Sequence, residues 1–212
     1  HRYSTDKKWL VPHFEKMLYD QAMLVHAYLD AYQLTGDDFY SQTVIEICEY
    51  VLRDMTDKNG GFYSAEDADS QGEEGIFYIW STDDLKSILN EEEFLFISDI
   101  LNIKDSGNSV VEGHRTNIPH FTMTWSEIEI KYNKSYDELF TYYNNIRKII
   151  FDSRENRVHP QKDDKILTDW NGLMISALAR TGVILDENKY LKAAEKSADF
   201  IIDNFIDKDG GL

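Results

Sequence analysis

Apolar residues recur every three or four positions over most of this 212-residue chain, and that spacing is typical of α-helices with one buried face. Because neighbouring segments are joined by short connections, the helices are expected to pack antiparallel in hairpins. Ser135 and Glu138 have the spacing of a capping box at the start of one of them. The predicted helices cover residues 12–34, 40–55, 83–89, 91–101, 136–150 and 188–206, and a further helix, capped by Thr168, contains the apolar run 173–179.

A turn sequence occurs twice, and its two copies indicate an internal repeat. The sequence DKNGG at 57–61 is followed 150 positions later by DKDGG at 207–211. At the same offset the apolar stripes of the preceding helices agree, so that Tyr40, for example, matches Tyr190. Each copy is therefore predicted to contain an inner helix, an outer helix and a glycine turn. Such hairpins stack in a layered array.

Two segments lack helical periodicity and are rich in strand-forming residues. Residues 62–65 and 76–80 are predicted to be the strands of a long-looped hairpin that encloses the polar loop 66–75. Residues 102–124 have weak periodicity and contain glycines, so an extended loop is predicted there.

Composition limits the classes of partner. With 42% hydrophobic and 13% aromatic residues, the chain can bury a sizeable core. Its 22 basic and 39 acidic residues give a net charge of −17, which repels nucleic acid and anionic lipid. The single cysteine, Cys48, excludes an intrachain disulfide, and its place on an apolar stripe predicts burial. No apolar run approaches the roughly 18 residues that span a bilayer. We expect a soluble, cytoplasmic protein without cofactor or metal and with neither nucleic acid nor membrane as a partner.

The first polar cluster covers residues 13–20 and is predicted to form the start of a helix. A helix start that lines a cleft would allow His13 or Glu15 to transfer protons, with Tyr19 and Asp20 in contact with a substrate. The alternative is an ordinary first helical turn, in which the helix dipole favours acidic residues.

The second polar cluster, at 66–74, is a short loop rich in carboxylates. Carboxylates this close repel one another, which indicates a cation, a hydroxylated ligand or raised pKa values. Residues 67–72 imitate the start of a calcium loop, but the twelfth position is Tyr78, where a glutamate is required. A solvated acidic loop and a calcium-stabilised loop remain the alternatives to a binding site.

The third polar cluster, at 163–172, lies at the start of the most apolar helix. There Trp170 stands between Asp169 and Asn171. An indole that stacks on a pyranose, next to amide and carboxylate groups that bind its hydroxyls, is typical of sugar-binding surfaces. The alternative interpretation is structural: Thr168 or Asp169 caps the helix, and Trp170 fills the core.

Four stretches resemble thioredoxin-domain-containing proteins of the YyaL and spermatogenesis-associated protein 20 type. They are HRYSTD at 1–6, WLVPHFEKMLYD at 9–20, GGFYSAEDADS at 60–70 and DDKILTDWNGLM at 163–174. The resemblance runs from the first residue to the last and is weakest between 102 and 135. It implies a thioredoxin-like domain followed by a helical toroid, similar to six-hairpin glycosidases and to N-acylglucosamine and cellobiose 2-epimerases.

The expected fold class is therefore mainly α: a partial (α/α) toroid of antiparallel helical hairpins, six-hairpin glycosidase-like, with a small β-hairpin insertion. Residues 1–212 are expected to form a single partial-toroid domain, a fragment of a larger protein, without the thioredoxin-like part. An incomplete ring exposes apolar flanks, so self-association is expected. The thioredoxin-like domain of the full-length protein is the expected protein partner.

The resemblance favours a carbohydrate-active or carbohydrate-binding domain whose ligand is a small carbohydrate. Hydrolysis would pair Glu66 or Asp67 with Asp164, whereas epimerisation would use His13 as the base. The catalytic candidates are thus His13, Glu15, Glu66, Asp67 and Asp164, and the substrate contacts are Tyr19, Asp20, Asp69, Asp163, Lys165, Asp169, Trp170 and Asn171.

The alternative function is a non-catalytic module that supports the thioredoxin-like domain. In that case the carboxylates should lie farther apart than the roughly 10 Å that glycosidases use, or each should form an ion pair. Arg2, Lys16 and Lys165 are the expected partners for such ion pairs.

Overall fold

The structure is a computed structural model that describes residues 2–207 and 209–211. His1 of the first family motif, Lys208 of the second glycine turn and the terminal Leu212 lie outside the described residues. The helices are α1 (Leu18–Thr35), α2 (Asp38–Asp54), α3 (Thr82–Ile88), α4 (Glu91–Ile100), α5 (Trp125–Tyr132), α6 (Tyr136–Arg154), α7 (Thr168–Ile184) and α8 (Asn188–Phe205). The strands are β1 (Lys16–Met17), β2 (Ala65–Glu66), β3 (Asp69–Ser70), β4 (Glu73–Glu74), β5 (Ser109–Val111), β6 (His114–Thr116) and β7 (Lys162–Asp163).

The chain folds into two compact units. The hairpin unit contains Arg2, Glu15–Asp67 and the described residues from Gln161 onward, and the middle unit contains Tyr3–Phe14 and Ala68–Pro160. The prediction of a mainly helical chain is confirmed. That of a single partial-toroid domain stays a prediction.

The internal repeat is confirmed in the hairpin unit. Helix α1 starts at Leu18 and α7 at Thr168, while α2 starts at Asp38 and α8 at Asn188, so both pairs keep the offset of 150 positions. Each pair is a packed hairpin, and α1 also packs against α7. The two inner helices therefore lie side by side, as expected for a layered array of hairpins.

The two glycine turns have the same hydrogen bonds. The Gly60 amide donates to the carbonyl oxygen of Asp57 at 2.9 Å, and the Gly210 amide donates to that of Asp207 at 3.1 Å. Each aspartate side chain also accepts from the amide two residues later, at 2.7 Å in the first turn and 2.8 Å in the second. Gly60 and Gly210 adopt φ values of 119° and 81°, which favour glycine.

The core of the hairpin unit is formed by the inward stripes of its four helices. The thiol of Cys48 is fully buried there, as predicted, and burial raises its pKa to about 12. The fully buried apolar residues of this core include Leu18, Ala22, Val25, Leu29, Val44, Val51, Met174, Ala177, Leu178 and Tyr190.

The first helix starts later than predicted. Residues 12–15 are not helical, and β1 follows them before α1 begins at Leu18. Strand β1 pairs antiparallel with β2, which in turn pairs antiparallel with β7. The prediction of a helix from residue 12 is therefore wrong, because strand pairing with distant segments satisfies the backbone groups of β1.

The middle unit is built on α3 to α6, and each of these helices begins with a capping box. The predicted box of Ser135 and Glu138 is confirmed. Helix α5 was missed, although Thr124 and Glu127 have the same spacing and would have indicated it. The buried core residues of this unit include Leu85, Phe96, Ile97, Ile100, Ile128, Leu139 and Ile146.

The predicted strand at 76–80 is wrong. Residues 76–78 form a turn, and Trp80 forms only an isolated antiparallel bridge with Asn117. The Nη1 atom of Arg157 donates to the carbonyl oxygens of Ile76, Phe77 and Ile79 at 3.2, 3.1 and 2.7 Å. The guanidinium also lies 3.9 Å from the centroid of the Trp80 ring. An arginine about 80 positions later in the sequence therefore donates to carbonyl groups that, in a strand, would accept hydrogen bonds from a neighbouring strand.

The extended loop predicted at 102–124 contains the hairpin β5–β6. The buried side chain of Asn117 accepts from the amides of Lys104 and Asn108 at 2.9 and 3.1 Å. Asn108 accepts in turn from the amide of Ile118 at 2.9 Å. Hydrogen bonds from backbone amides to the side chains of Asn108 and Asn117 thus stabilise this segment, which has no helical periodicity.

A carboxylate holds the loop at the start of the middle unit. Asp6 Oδ1 accepts from the amides of Leu10 and Val11, both at 2.8 Å, and Oδ2 accepts from the amide of Lys8 at 2.9 Å. The hydrogen bond from Val11 contributes most to lowering the Asp6 pKa to about 2.

The lowered pKa makes the stability of this loop pH-dependent. Because the folded pKa lies below the unfolded value of 3.8, the contribution of Asp6 is present above that pH and is lost as pH falls toward 2. NMR titration of the side-chain carboxyl should give a midpoint near the lower value. The variant Asp6→Asn should lack this part of the acid dependence, and a midpoint at the ordinary value for aspartate would contradict the prediction.

Candidate functional site

The sheet β1-β2-β7 brings a segment of each predicted polar cluster together in the hairpin unit. Its register places Lys16 opposite Glu66, and Glu66 opposite Lys162. The neighbouring row joins Ala65 to Asp163. Because successive residues of a strand point to opposite faces, Glu66 and Asp163 lie on opposite faces of this sheet.

Glu66 lies at the centre of the sheet and is buried, with 3% of its surface exposed. Its Oε1 atom is 3.1 Å from Nζ of Lys16. The ammonium group of Lys16 also lies 5.7 Å from the centroid of the Tyr50 ring. A buried carboxylate in an ion pair is the arrangement that the non-catalytic alternative predicted.

Around the start of α1, Arg2 interacts with three residues of the first polar cluster. Its guanidinium forms an ion pair with Glu15, interacts with the Tyr19 hydroxyl and lies close enough to Asp20 for their charges to interact. Burial raises the pKa of Asp20, and the positive charge of Arg2 opposes that shift. The Oδ2 atom of Asp20 is buried and has no hydrogen-bond partner among the described residues. This carboxyl therefore combines a raised pKa with an oxygen that has no partner in the described part of the chain.

Two aromatic rings meet where α1 and α7 begin. The ring of Tyr19 meets that of Trp170 edge to face, with a centroid distance of 4.8 Å and an interplanar angle of 65°. Trp170 is partly buried and packs against the core of the hairpin unit. Its indole therefore fills part of the core, as the structural interpretation predicted, and its stacking on a sugar stays a prediction.

Asn171 has a structural role that differs from the predicted substrate contact. Its side chain is fully buried, and its Oδ1 atom accepts from the amide of Phe62 at 2.8 Å. Its Nδ2 atom donates to the carbonyl oxygens of Phe62 and Leu167, both at 3.0 Å. Because these bonds occupy the side-chain amide of Asn171, this residue is not part of the proposed ligand site.

Four predicted site residues of the hairpin unit are exposed, and a fifth, Asp163, is partly buried. Asp163 Oδ2 is 2.9 Å from Nζ of the exposed Lys165, and this hydrogen bond lowers the Asp163 pKa. Asp169 Oδ1 accepts from the Trp170 amide at 2.9 Å. The exposed predicted residues are Asp67, Asp164, Lys165 and Asp169.

His13 and Asp69 belong to the middle unit. The Nδ1 atom of His13 is 3.0 Å from Oε1 of Glu74, and its ring stacks on Tyr3 at a centroid distance of 4.8 Å. Asp69 lies in β3, opposite Glu74 in β4. The other predicted site residues belong to the hairpin unit.

The acidic loop forms a hairpin of its own, so the predicted pairing of 62–65 with 76–80 is wrong. Strands β3 and β4 are joined by Gln71 and Gly72, both with positive φ (56° and 84°), as in a tight two-residue hairpin turn.

Within residues 2–207 and 209–211, no three His, Cys, Asp or Glu side chains lie where they could hold a metal ion. Nor does any helix of this part have the length and apolar character to cross a membrane.

Two clefts in the middle unit were not predicted. One has a volume of about 700 Å³ and the other of about 240 Å³. None of the predicted site residues lines either cleft among the described residues. The smaller one is bordered by α6, where Arg147, Ile150 and Arg154 recur at helical spacing, a pattern visible in the sequence.

Comparison with curated proteins gives relatives over the whole chain. It is 36% identical, over an alignment of 232 residues, to spermatogenesis-associated protein 20 of Homo sapiens and covers 30% of that protein. It is 34% identical to the Mus musculus protein of the same name and 34% identical to an uncharacterized protein of Caenorhabditis elegans, covering 29% and 32% of them. The chain thus spans about a third of the length of these relatives, which are consistent with the resemblance carried by the four motifs. No family model matches the chain.

Among solved structures, the chain is similar to a D-mannose isomerase with a TM-score of 0.28 and 14% identity, covering 88% of this chain and 42% of that one. It is also similar to the cellobiose 2-epimerase of Spirochaeta thermophila with a TM-score of 0.24 and 17% identity, covering 93% and 61%. TM-scores and identities this low do not indicate a shared function.

Proposed function

We propose that this chain is the helical toroid segment of a protein of the spermatogenesis-associated protein 20 type, and that its hairpin unit binds a small carbohydrate. The relatives over the whole chain support the family. The repeated hairpins, with inner helices α1 and α7 packed side by side, support a toroid of stacked hairpins. The carbohydrate is proposed from the side chains near the start of α1.

One juxtaposition carries the ligand class: a partly buried carboxyl, a guanidinium and two aromatic rings. Among the described residues, a buried oxygen of Asp20 has no hydrogen-bond partner, and the charge of Arg2 acts on this carboxyl. Arg2 also interacts with Tyr19, whose ring meets that of Trp170 at a centroid distance of 4.8 Å. A sugar offers both hydroxyl groups for the carboxyl and guanidinium and C–H faces for the aromatic rings.

If the segment is catalytic, the raised pKa of Asp20 fits a general acid in a glycosidase-like or epimerase-like reaction. A second carboxylate would then come from Asp67 or Asp164, which are both exposed, rather than from Glu66 in its buried ion pair. In this form of the proposal, Trp170 contacts the sugar, and Arg2 orients Asp20.

The proposal is tested by thermal shift and calorimetry of the full parent protein with a panel of mono- and disaccharides. At least one sugar should bind, and Asp20→Asn should weaken its binding by about tenfold or more, since a charge-assisted hydrogen bond becomes a neutral one. Asp38→Asn, an exposed carboxylate at the start of α2, is the matched control and should leave binding unchanged. A panel without any binder, or equal binding by both variants, would refute the proposal.

A non-catalytic module supporting the thioredoxin-like domain is the second candidate, and three ion pairs favour it. Glu15 pairs with Arg2, Glu66 with Lys16, and Asp163 with Lys165, as that alternative predicted. It differs from the first proposal in one result: no sugar should raise the melting temperature of the parent protein. The thioredoxin-like partner and self-association through apolar flanks remain predictions.

A further inference from the structure

The smaller cleft of the middle unit combines apolar walls with two guanidinium groups. Its volume is about 240 Å³, and Phe14, Trp80 and Ile97 are among the side chains of its walls. Among the described residues that line it, none is an aspartate or glutamate. The chain as a whole has a net charge of −17, whereas the charged side chains that line this cleft are both arginines. The cleft therefore favours an anionic ligand more than the rest of the surface does.

One face of α6 supplies the cations. Tyr143, Arg147, Ile150 and Arg154 line the cleft, and their spacing of three or four residues places them in one stripe along the helix. The Cα atoms of the two arginines are separated by about 10 Å along the axis, given a rise of 1.5 Å per residue. The apolar side chain of Ile150 lies between them in this stripe.

Arg154 is held in place and has an unused donor. Its guanidinium lies 5.0 Å from the centroid of Phe77 and 5.4 Å from that of Tyr78. Its Nη2 atom is 3.4 Å from Oε1 of Glu155, while its Nε atom is buried and has no hydrogen-bond partner among the described residues. When a guanidinium stacks on aromatic rings, its two faces are covered. Its N–H groups point outward in the plane of the group, where they can donate to a carboxylate.

We propose that this cleft binds a small monocarboxylate with an apolar or aromatic body, and that Arg154, assisted by Arg147, binds the carboxylate. The body would occupy the space between Trp80 and Ile150. An apolar cavity of about 150 Å³ accommodates benzene, so the present volume suits a single ring with a short tail and is small for a drug-sized ligand. The assignment is independent of the carbohydrate proposal, which concerns the hairpin unit.

The test compares an acid with its neutral amide. Phenylpropionate and phenylpropionamide are titrated into the full parent protein by calorimetry and by NMR of the Ile methyl groups. The acid should bind about tenfold more tightly than the amide, because a charge-assisted hydrogen bond replaces a neutral one. Shifts should include the methyl groups of Ile97 and Ile150.

Variants separate the guanidinium from the cavity. Arg154→Met should reduce acid binding to the level of the amide and leave amide binding unchanged, whereas Ile150→Trp, which fills the cavity, should weaken both. Arg147→Gln should reduce the preference for the acid and provides the test if Arg154→Met does not fold. Arg115→Gln, in the larger cleft, removes the same charge elsewhere and should have no effect.

Three results would overturn the assignment. They are equal affinities of acid and amide, absence of binding by either probe up to its solubility limit, and acid binding that is unchanged in both Arg154→Met and Arg147→Gln.

Discussion

Replacing Lys16 by methionine is expected to lower the free energy of unfolding by about 3–5 kcal/mol, the cost of leaving a buried charge without its partner. Lys16 and Glu66 join β1 to β2, with a distance of 3.1 Å between Nζ and Oε1. The side chains are only 13% and 4% exposed, so water compensates little for the lost ammonium group. Chemical denaturation followed by circular dichroism measures the change.

Two further variants show whether burial causes this effect. Adding Glu66→Gln to Lys16→Met should recover much of the loss, because the buried negative charge that Lys16 balances is then removed as well. Lys148→Met is the matched control: its Nζ atom is 2.7 Å from Oδ2 of Asp152, but the side chains are 74% and 56% exposed. That change should cost less than about 1 kcal/mol. Equal losses for Lys16→Met and Lys148→Met would show that the inner pair contributes no more than a surface pair.

Replacing Asn171 by alanine should destabilise the chain by about 2–4 kcal/mol, because the buried amide and carbonyl of Phe62 both lose a partner. Phe62 is 1% exposed, and water therefore does not reach these groups without local opening. The melting temperature and the midpoint of denaturation should both fall. Amide hydrogen exchange at Phe62 should become faster, which locates the loss at this contact.

Asn204→Ala is the control for this change, since its exposed side chain donates one hydrogen bond, to the carbonyl oxygen of Phe200 at 2.8 Å. Its effect should stay within about 0.5 kcal/mol. If the two alanine variants were equally stable, Asn171 would not hold Phe62, and the substrate contact predicted for Asn171 would again be the better explanation.

Periodicity was enough to predict most of the helices. The stripes that run through α1, α2 and α8 are buried on one side, as their sequences indicate, and the offset of 150 positions between the hairpins holds in the structure. Helix α5 could also have been predicted from Thr124 and Glu127. Local pattern succeeds here because a helix forms its backbone hydrogen bonds within one segment.

The strands were predicted less well because their partners are distant along the chain. The three-stranded sheet joins residues 16–17, 65–66 and 162–163, and each strand has only two residues, which is too short for an alternating pattern. The apolar run at 76–80 has the composition of a strand, yet Arg157 binds its carbonyl groups. No pattern within 76–80 shows that an arginine so far along the chain does this.

For the candidate site, the sequence determined which residue types are present and that they occur in three clusters. It did not show which carboxylates would be paired. Tertiary structure decided that Glu66 is buried against Lys16 and that Asn171 binds the backbone of Phe62. It also decided that one oxygen of Asp20 has no hydrogen-bond partner in the described part of the chain. The physical reason is that helix formation depends on neighbours within a turn, whereas the burial, pairing and pKa of a polar side chain depend on groups that only the folded chain brings within a few ångströms.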